Sequence, residues 1–329
     1  MREQETKNRN LGVSVAPMMD WTDRHCRYFL RLLSPHATLY TEMVTAAAIH
    51  HGDREKLLQF NDAEHPVVLQ VGGSDPELMA AAALAGEQAG YDAININVGC
   101  PSERVQSGSF GACLMAEPEL VARCFEAMQT RVSVPVTVKC RLGIDEQDSE
   151  AFFLKFIDTL RDAGCQHFDV HARIAILKGL SPKENRMIPP LNYQRVFDLK
   201  SRYPELTVFL NGGVNTDALV DTALPVVDGV MIGREAYHNP YWLAVLDARL
   251  HNNTAPARRD VVHAMVEYAE NAMRQGALLK HITRHMLGLF AGEPGARLWR
   301  RTLSEKAHQP DATPQLLLEA LAARDRIAA

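Results

Sequence analysis

The sequence predicts an α/β fold: a closed (β/α)8 barrel of the TIM type followed by a small C-terminal helical domain. Three observations carry that prediction. Short strands alternate with amphipathic helices eight times between residues 11 and 251. Most of those strands are apolar along their length, as expected of parallel strands covered on both faces. A polar residue also stands near the C-terminal end of almost every strand: Asp20, Glu42, Gln70, Asn97, Lys139, His171, Asn211 and Arg234. In a closed barrel those ends make one ring around one pocket. An open doubly wound sheet, the competing fold, would gather its site at a single crevice.

The elements follow in order. Leu11–Met18 reads as the first strand, and Asp23 caps an amphipathic helix to Leu33. Thr38–Val44 is the second strand and Pro66–Val71 the third, stopped by Gly72 and Gly73. Asp75 then caps a helix with Pro76 at its first position, and Gly90 closes it. Ala93–Asn97 is strand four, and its apolar alternation breaks into Asn97, Gly99, Cys100 and Pro101. Pro118 to Arg131 is helical, Val136–Lys139 is strand five, and Asp148–Ala163 is a helix ended by Gly164. His167–His171 is strand six, followed by an aperiodic loop to Pro190 and a helix over Leu191–Arg202. Thr207–Asn211 and Gly229–Gly233 are strands seven and eight, flanking a short helix from Asn215 to Ala223. A helix then runs to Leu250. Asn252–Arg259 reads as a linker, and four helices fill the remainder: Asp260–Gln275, Leu279–Phe290, Ala296–Ala307 and Thr313–Ala329. The domain reading is therefore a mobile tail over 1–10, a barrel over 11–251 and a helical domain over 252–329.

Composition narrows the class. The chain has 329 residues, 47% hydrophobic and 23% charged, with a formal net charge of −5. That balance belongs to a soluble globular protein. It argues against nucleic-acid binding by bulk charge but leaves room for a local basic patch. The six cysteines (Cys26, Cys100, Cys113, Cys124, Cys140, Cys165) form no CxxC pair, so no zinc site, and no metal, is expected. No secretory leader and no membrane-spanning run is visible. The reading is a reduced, cytoplasmic enzyme.

Several groups suit a flavin. Asn211-Gly212-Gly213-Val214 follows strand seven, and Gly233-Arg234 follows strand eight. Glycines let backbone amides approach an anion, and loops seven and eight of a barrel often hold phosphate. No G-x-G-x-x-G follows the first strand, so a mononucleotide such as FMN fits better than a dinucleotide domain. Lys139 could face the N1/C2 edge of the ring, where reduction places negative charge; a solvated strand end is its plain alternative. Gln70 can donate and accept along the ring edge, and Pro17, Met18 and Met19 can offer backbone groups and soft apolar surface. His171 could reach the phosphate or the N1 region. Cys100 is fixed between Gly99 and Pro101 at the pocket mouth. An unperturbed thiol, with a pKa of roughly 8.5, is mostly protonated at neutral pH and can act as a general acid. The other cysteines are read as packing residues.

The motifs APMMDWTDRHCRYFLR, LYTEMV, LQVGGSDP, NVGCPSERVQSGSFGACLM, VKCRLGID, GLSPKENR, NGGV, MIGREAY and HITRHMLGLFAGEPGARLWRR are long and ordered. Over residues 11–305 the chain resembles the tRNA-dihydrouridine synthase family, most like its A subfamily. The resemblance implies an FMN-dependent oxidoreductase of CH–CH groups that uses NADPH to reduce the uracil C5=C6 bond in tRNA. For the A subfamily it implies the D-loop, positions 20 and 20a. It implies that Cys100 gives a proton to C5, opposite hydride from flavin N5 to C6. It also implies that Pro17–Met19, Gln70, Lys139, His171, Asn211, Gly212, Gly213, Gly233 and Arg234 bind FMN. Asn97 matches a residue touching base and flavin, and Arg141 one beside the pyrimidine. One departure stands out: after His171 the subfamily reads HARKAW where this chain reads HARIAI, with Ile174 and Ile176 in place of lysine and tryptophan.

For tRNA, Arg297, Arg300 and Arg301 share one helix face with Ser304, and His281, Arg284 and His285 share another. Lys178, Lys183 and Arg186 stand in loop six, where they could position phosphates. The partners expected are tRNA and NADPH, with no membrane and no protein partner implied. Two alternatives remain open: a small-molecule pyrimidine flavoenzyme of the dihydroorotate dehydrogenase type, and a tRNA-binding protein without catalysis. A yellow protein whose NADPH oxidation accelerates with tRNA, but not with free uracil, separates the three.

Overall fold

The computed structural model describes residues 12–102 and 108–328; the expected tail over residues 1–10 lies outside them. The barrel staves are β1 (Gly12–Val15), β2 (Thr38–Tyr40) continued by β3 (Val44–Thr45), β4 (Val67–Gly72), β5 (Ala93–Val98), β6 (Val136–Arg141), β7 (His167–His171), β8 (Thr207–Asn211) and β9 (Gly229–Ile232). Every neighbouring pair is parallel. The ring closes where β1 pairs β9, from Gly12↔Gly229 to Val15↔Ile232, and where β2 pairs both β1 and β4. The eight-stave closed barrel read from the alternating pattern is therefore the fold.

The second stave differs from the expected unbroken Thr38–Val44. Thr41 explains the break: its side-chain oxygen accepts the Gln70 amide at 3.0 Å while its hydroxyl donates to the Glu42 carbonyl at 2.7 Å. A threonine oxygen thus takes a ladder position, which is the local competition that Ser and Thr side chains offer strands. Helices α1 (Arg24–Leu33), α2 (Ala46–His51), α3 (Arg54–Leu57) and α4 (Pro76–Ala89) come next in the chain, and α2 and α3 were not anticipated. Caps behave as predicted. Asp23 accepts from the amides of His25 and Cys26 ahead of α1, and Asp75 from those of Glu77 and Leu78 ahead of α4. Gly90 ends α4 at φ 99°. The remaining crossovers are α5 (Pro118–Gln129), α6 (Glu150–Asp162), α7 (Tyr193–Arg202) and α8 (Asp217–Ala223).

Barrel closure rests on a glycine pair. A Cβ on Gly12 or Gly229 would lie 2.2 Å or 2.4 Å from the tip of Phe209, so only glycines let that ring sit at the β1–β9 seam.

The described chain packs as two compact units, residues 12–19 with 38–233, and residues 20–37 with 234–328. The second holds α1 with α9 (Arg234–His238), α10 (Pro240–His251), α11 (Arg258–Arg274), α12 (Leu279–Thr283), α13 (Ala296–Lys306) and α14 (Gln315–Ala328). Its division differs from the expected boundary at 251/252, because α1 packs against α10, α11 and α12. The expected helix over Leu279–Phe290 stops at Thr283. Beyond it the amides of Met286, Leu289 and Ala291 bond three residues back, a run of turns rather than a helix. Within this run Gly288 packs closely: a Cβ there would lie 2.4 Å from the His238 carbonyl oxygen.

Replacing Gly229 with alanine forces Phe209 out of the seam. Urea unfolding is expected to show a loss of about 1–3 kcal/mol, the usual cost of overpacking; an unchanged midpoint would mean that the ring and the Gly12 carbonyl, 2.5 Å from the added Cβ, can both yield.

Candidate active site

Strand periodicity of two points alternate residues inward, and the inward set includes a run of polar side chains. Within it stands Asp169, fully buried on β7. Its Oδ2 accepts the Tyr40 hydroxyl at 2.9 Å and Asn95 Nδ2 at 3.3 Å, and its Oδ1 lies 3.2 Å from His167 Nε2. Asn95 also donates to Thr137 Oγ1 at 2.8 Å and accepts Gln70 Nε2 at 2.8 Å. Gln70 in turn accepts Asn97 Nδ2 through Oε1 at 2.8 Å. Asn97 then accepts the backbone amides of Gly99 and Cys100 on its Oδ1, at 3.2 and 3.0 Å. A continuous series of side-chain hydrogen bonds therefore runs from Asp169 in the barrel interior to the thiol-bearing turn. Buried polar groups persist only when satisfied in this way.

Cys100 is half-buried, with Sγ 3.6 Å from Ser102 Oγ, and its carbonyl accepts the Ala112 amide at 2.9 Å. Cys113 instead packs, its thiol 3.1 Å from the Phe110 carbonyl oxygen and pushed up in pKa by burial. Cys124, Cys140 and Cys165 are buried, and burial raises each thiol, to about 11 for Cys124 and about 12 for Cys165.

On β6 the register sets Lys139 opposite Asn97 on one side and Asp169 on the other. Lys139 Nζ donates to Asn211 Oδ1 at 3.0 Å, and Asn211 Nδ2 donates to the Met231 carbonyl at 2.8 Å. Burial lowers the Lys139 pKa to about 8 although the Asp169 carboxylate opposes the fall. His171 is pushed well below its ordinary value, first by burial and then by the neighbouring charges of Arg141, Lys139, Arg173 and Arg186, so its ring is neutral at physiological pH. The ring of expected flavin residues on β4 to β8 is thus assembled within one unit.

Arg141 is almost fully buried and lies at a junction. Its Nε donates to the Gly99 carbonyl at 2.8 Å, and its Nη1 to those of Ile174 at 2.9 Å and Asn185 at 3.2 Å. Burial lowers its pKa to about 10. Asn185 organises loop six from a fully buried position. It accepts the Ile176 amide at 2.7 Å and donates to the carbonyls of Ile176, Leu180 and Ser181. Ile174 and Ile176, the two departures noted above, therefore serve this loop through their backbones, which is indifferent to the side chain.

Gly212 and Gly213 follow β8 at φ 105° and 68°. A Cβ on Gly212 would fall 2.6 Å from the His171 ring, and one on Gly213 2.7 Å from the Tyr193 hydroxyl. Gly233, after β9, has nothing nearer a built Cβ than Ala16 at 4.0 Å. Pro17 and Met18 are half-buried beyond β1, Met19 is 54% exposed, and Arg234 opens the five-residue α9 of the second unit.

Lys183 and Arg186 are exposed on loop six beside Met187 and Ile188, themselves about 60% exposed apolar side chains. In the second unit Arg297, Arg300 and Arg301 are exposed on α13, whose opposite side buries Trp299 and Leu303. The companion face of His281, Arg284 and His285 is not a free basic surface. His285 is buried and pairs with Asp23 at 3.0 Å, and Arg284 pairs with the same carboxylate at 2.6 Å. Burial opposes the Asp23 charge, yet these partners and the Cys26 amide hold its carboxyl far below the usual range.

Asp169, Asn95, Tyr40 and Asn185 were missed by reading strand ends. Asp169 had a signal, since period two in HFDVH sets it on one face with His167 and His171. Asn185 had none, because its role depends on loop shape.

A closed parallel barrel with a thiol, two amides and a lysine converging at the C-terminal ends of its strands is the architecture of a barrel enzyme. The sequence profile of dihydrouridine synthase (Dus) matches residues 14–325, and the chain belongs to this family. The tRNA-dihydrouridine(20/20a) synthase of Synechocystis sp. is 54% identical over 95% of this chain and 94% of its own length. That of Shewanella oneidensis is 57% identical over 94% of this chain and 92% of its own. Among solved structures, 2-naphthoyl-CoA reductase in complex with 2-naphthoyl-CoA superposes with a TM-score of 0.56 at 9% identity, over 73% of this chain and 50% of that one. The old yellow enzyme homologue of Zymomonas mobilis superposes at 0.51 with 12% identity, over 77% and 91%. These two likenesses concern the fold.

In the flavin-free protein the Lys139 ammonium is expected to be charged below and neutral above a pH of about 8. Carbon-13 methyl-lysine NMR, with the signal assigned by its loss in Lys139→Met, reads this directly. A midpoint at the ordinary lysine value of about 10.4 would place the group in water.

Proposed function

We infer that this dihydrouridine synthase reduces uridine in the tRNA D-loop, at positions 20 and 20a, to 5,6-dihydrouridine, with FMN as cofactor and NADPH as electron donor. The observation that carries the reading is the tether from Asn97 to the Cys100 turn, beside Gln70 and Lys139. The identity to the curated relatives supports the positions. The donor set fits a flavin: a lysine able to meet charge at the N1/C2 edge, and amides that can both donate and accept. Bound FMN would carry hydride from NADPH to C6 of the uracil.

Gln70, Lys139, Asn211 and neutral His171 would hold the ring and its side chain, with Pro17–Met19 against it. Gly212, Gly213, Gly233 and Arg234, on the loops after the last two staves, are the proposed phosphate contacts. Asn97 would touch both base and ring while fixing the turn that carries the acid. Cys100 Sγ would deliver its proton to C5 on the face opposite hydride arrival, leaving a thiolate that is reprotonated from solvent. Arg141 would stiffen the base side of the pocket by gripping the Gly99 and Ile174 carbonyls. The target base must leave its stack to reach this pocket, at a cost of a few kcal/mol. The helical domain, with Arg297, Arg300 and Arg301, and loop six, with Lys183 and Arg186, would supply that energy through phosphate contacts. Such a substrate would place the enzyme in the cytoplasm.

Cys100→Ala is expected to keep its yellow colour and its reduction by NADPH. Its dihydrouridine formation in tRNA, mapped by mass spectrometry, should fall at least about 100-fold, the usual span for losing a general acid; full turnover would remove Cys100 from the chemistry. Affinity for tRNA should fall steeply between low and high salt, and replacing Arg297, Arg300 and Arg301 with alanine should flatten that dependence. An unaltered salt slope would remove α13 from the interface.

A further inference from the structure

We propose that His36, Asp247 and His251, in the helical unit, form a binding site for one divalent transition-metal ion of the zinc type. The three donors come from two places. His36 lies in the connection after α1, while Asp247 and His251 stand at i and i+4 on α10, on one helix face. One ligand atom from each of the three lies within 4.8 Å of the other two.

Two of the three donors already stand at the separation of ligands on one ion. His36 Nδ1 is 3.0 Å from Asp247 Oδ2. Two ligands each about 2.0–2.2 Å from a shared ion sit roughly that far apart. The His36 and His251 rings stack with centroids 3.8 Å apart and 23° between planes, so binding one ion through both requires the His251 ring to swing out of the stack. Asp247 is held for the task. It is 3% exposed, and its Oδ1 accepts the Ser34 hydroxyl at 2.6 Å and the His36 amide at 3.3 Å, which leaves Oδ2 turned toward His36. Outer contacts of this kind orient a ligating carboxylate.

The donor chemistry selects the ion. Two imidazoles with one carboxylate suit zinc, nickel, cobalt or copper, whereas magnesium and calcium favour all-oxygen sets. The half-exposed His36 provides an entry path and room for water as the remaining ligand. The bound ion would fasten the segment after α1 to the last turn of α10. Without an ion the cluster is a hydrogen-bonded imidazole–carboxylate pair with a second ring stacked on it. The missing CxxC pairs bear on cysteine sites and have no bearing on these donors.

Isothermal titration of zinc into chelator-treated, full-length, flavin-loaded protein tests this, run beside His36→Gln and His251→Gln. Each variant alters one partly accessible ring and leaves Asp247 with its Ser34 partner. The wild type is expected to take up one equivalent that either substitution weakens at least about tenfold. Zinc should also raise the thermal midpoint of the wild type but of neither variant. No saturable equivalent in the wild type, or one unchanged by either substitution and therefore held elsewhere (at the thiols, for example), overturns the proposal.

Discussion

The hydrogen bonds made by the Asn97 side chain are the constraint on which the candidate site depends. One amide oxygen receives the backbone of Gly99 and Cys100, and the same group donates into Gln70. Because Gln70 is itself held by Asn95, and Asn95 by Thr137 and Asp169, the turn beyond β5 inherits the rigidity of the barrel interior. A turn carrying a glycine and a thiol would otherwise sample many backbone states. Here its direction is set by buried groups that cannot be left unpaired without cost. Arg141 adds a second hold from the opposite side by taking the Gly99 carbonyl.

Charge follows the same plan. Asp169 is a buried carboxylate whose oxygens are occupied by Tyr40, Asn95 and His167, and it lies next to Lys139 across β6 and β7. The carboxylate offsets part of the burial that lowers the Lys139 pKa. His171, facing several cations, is neutral at physiological pH and can only exchange hydrogen bonds. The barrel mouth thus holds a lysine whose charge responds to what binds near it, beside an uncharged imidazole.

Much of this was legible in the sequence, for physical reasons. Strand and helix periods, the Asp75-Pro76 cap and Gly90 are local signals, and the eight-fold alternation of strand and helix has one economical closure. The residues at strand ends, Gln70, Asn97, Lys139, His171 and Asn211, were legible because a barrel brings such ends together. What escaped depended on contacts between distant residues. The break in the second stave needs Thr41 to meet the Gln70 amide. The placing of α1 among the C-terminal helices needs its packing partners. His285 looked like a surface cation until Asp23, distant in sequence, was seen to pair with it. The backbone role of Arg141, which donates to three carbonyls, likewise depends on contacts across strands and loops.

The central claim is that Asn97 acts on the reaction by positioning Cys100. A double-mutant cycle of Asn97→Ala and Cys100→Ala tests it most directly, with the rate of reduced-flavin oxidation by unmodified tRNA in a single anaerobic turnover as the readout. If the tether works as described, the Asn97 substitution costs much less once Cys100 is gone, and the two losses fail to multiply. Losses that multiply fully would contradict it and leave Asn97 only its contact with base and ring.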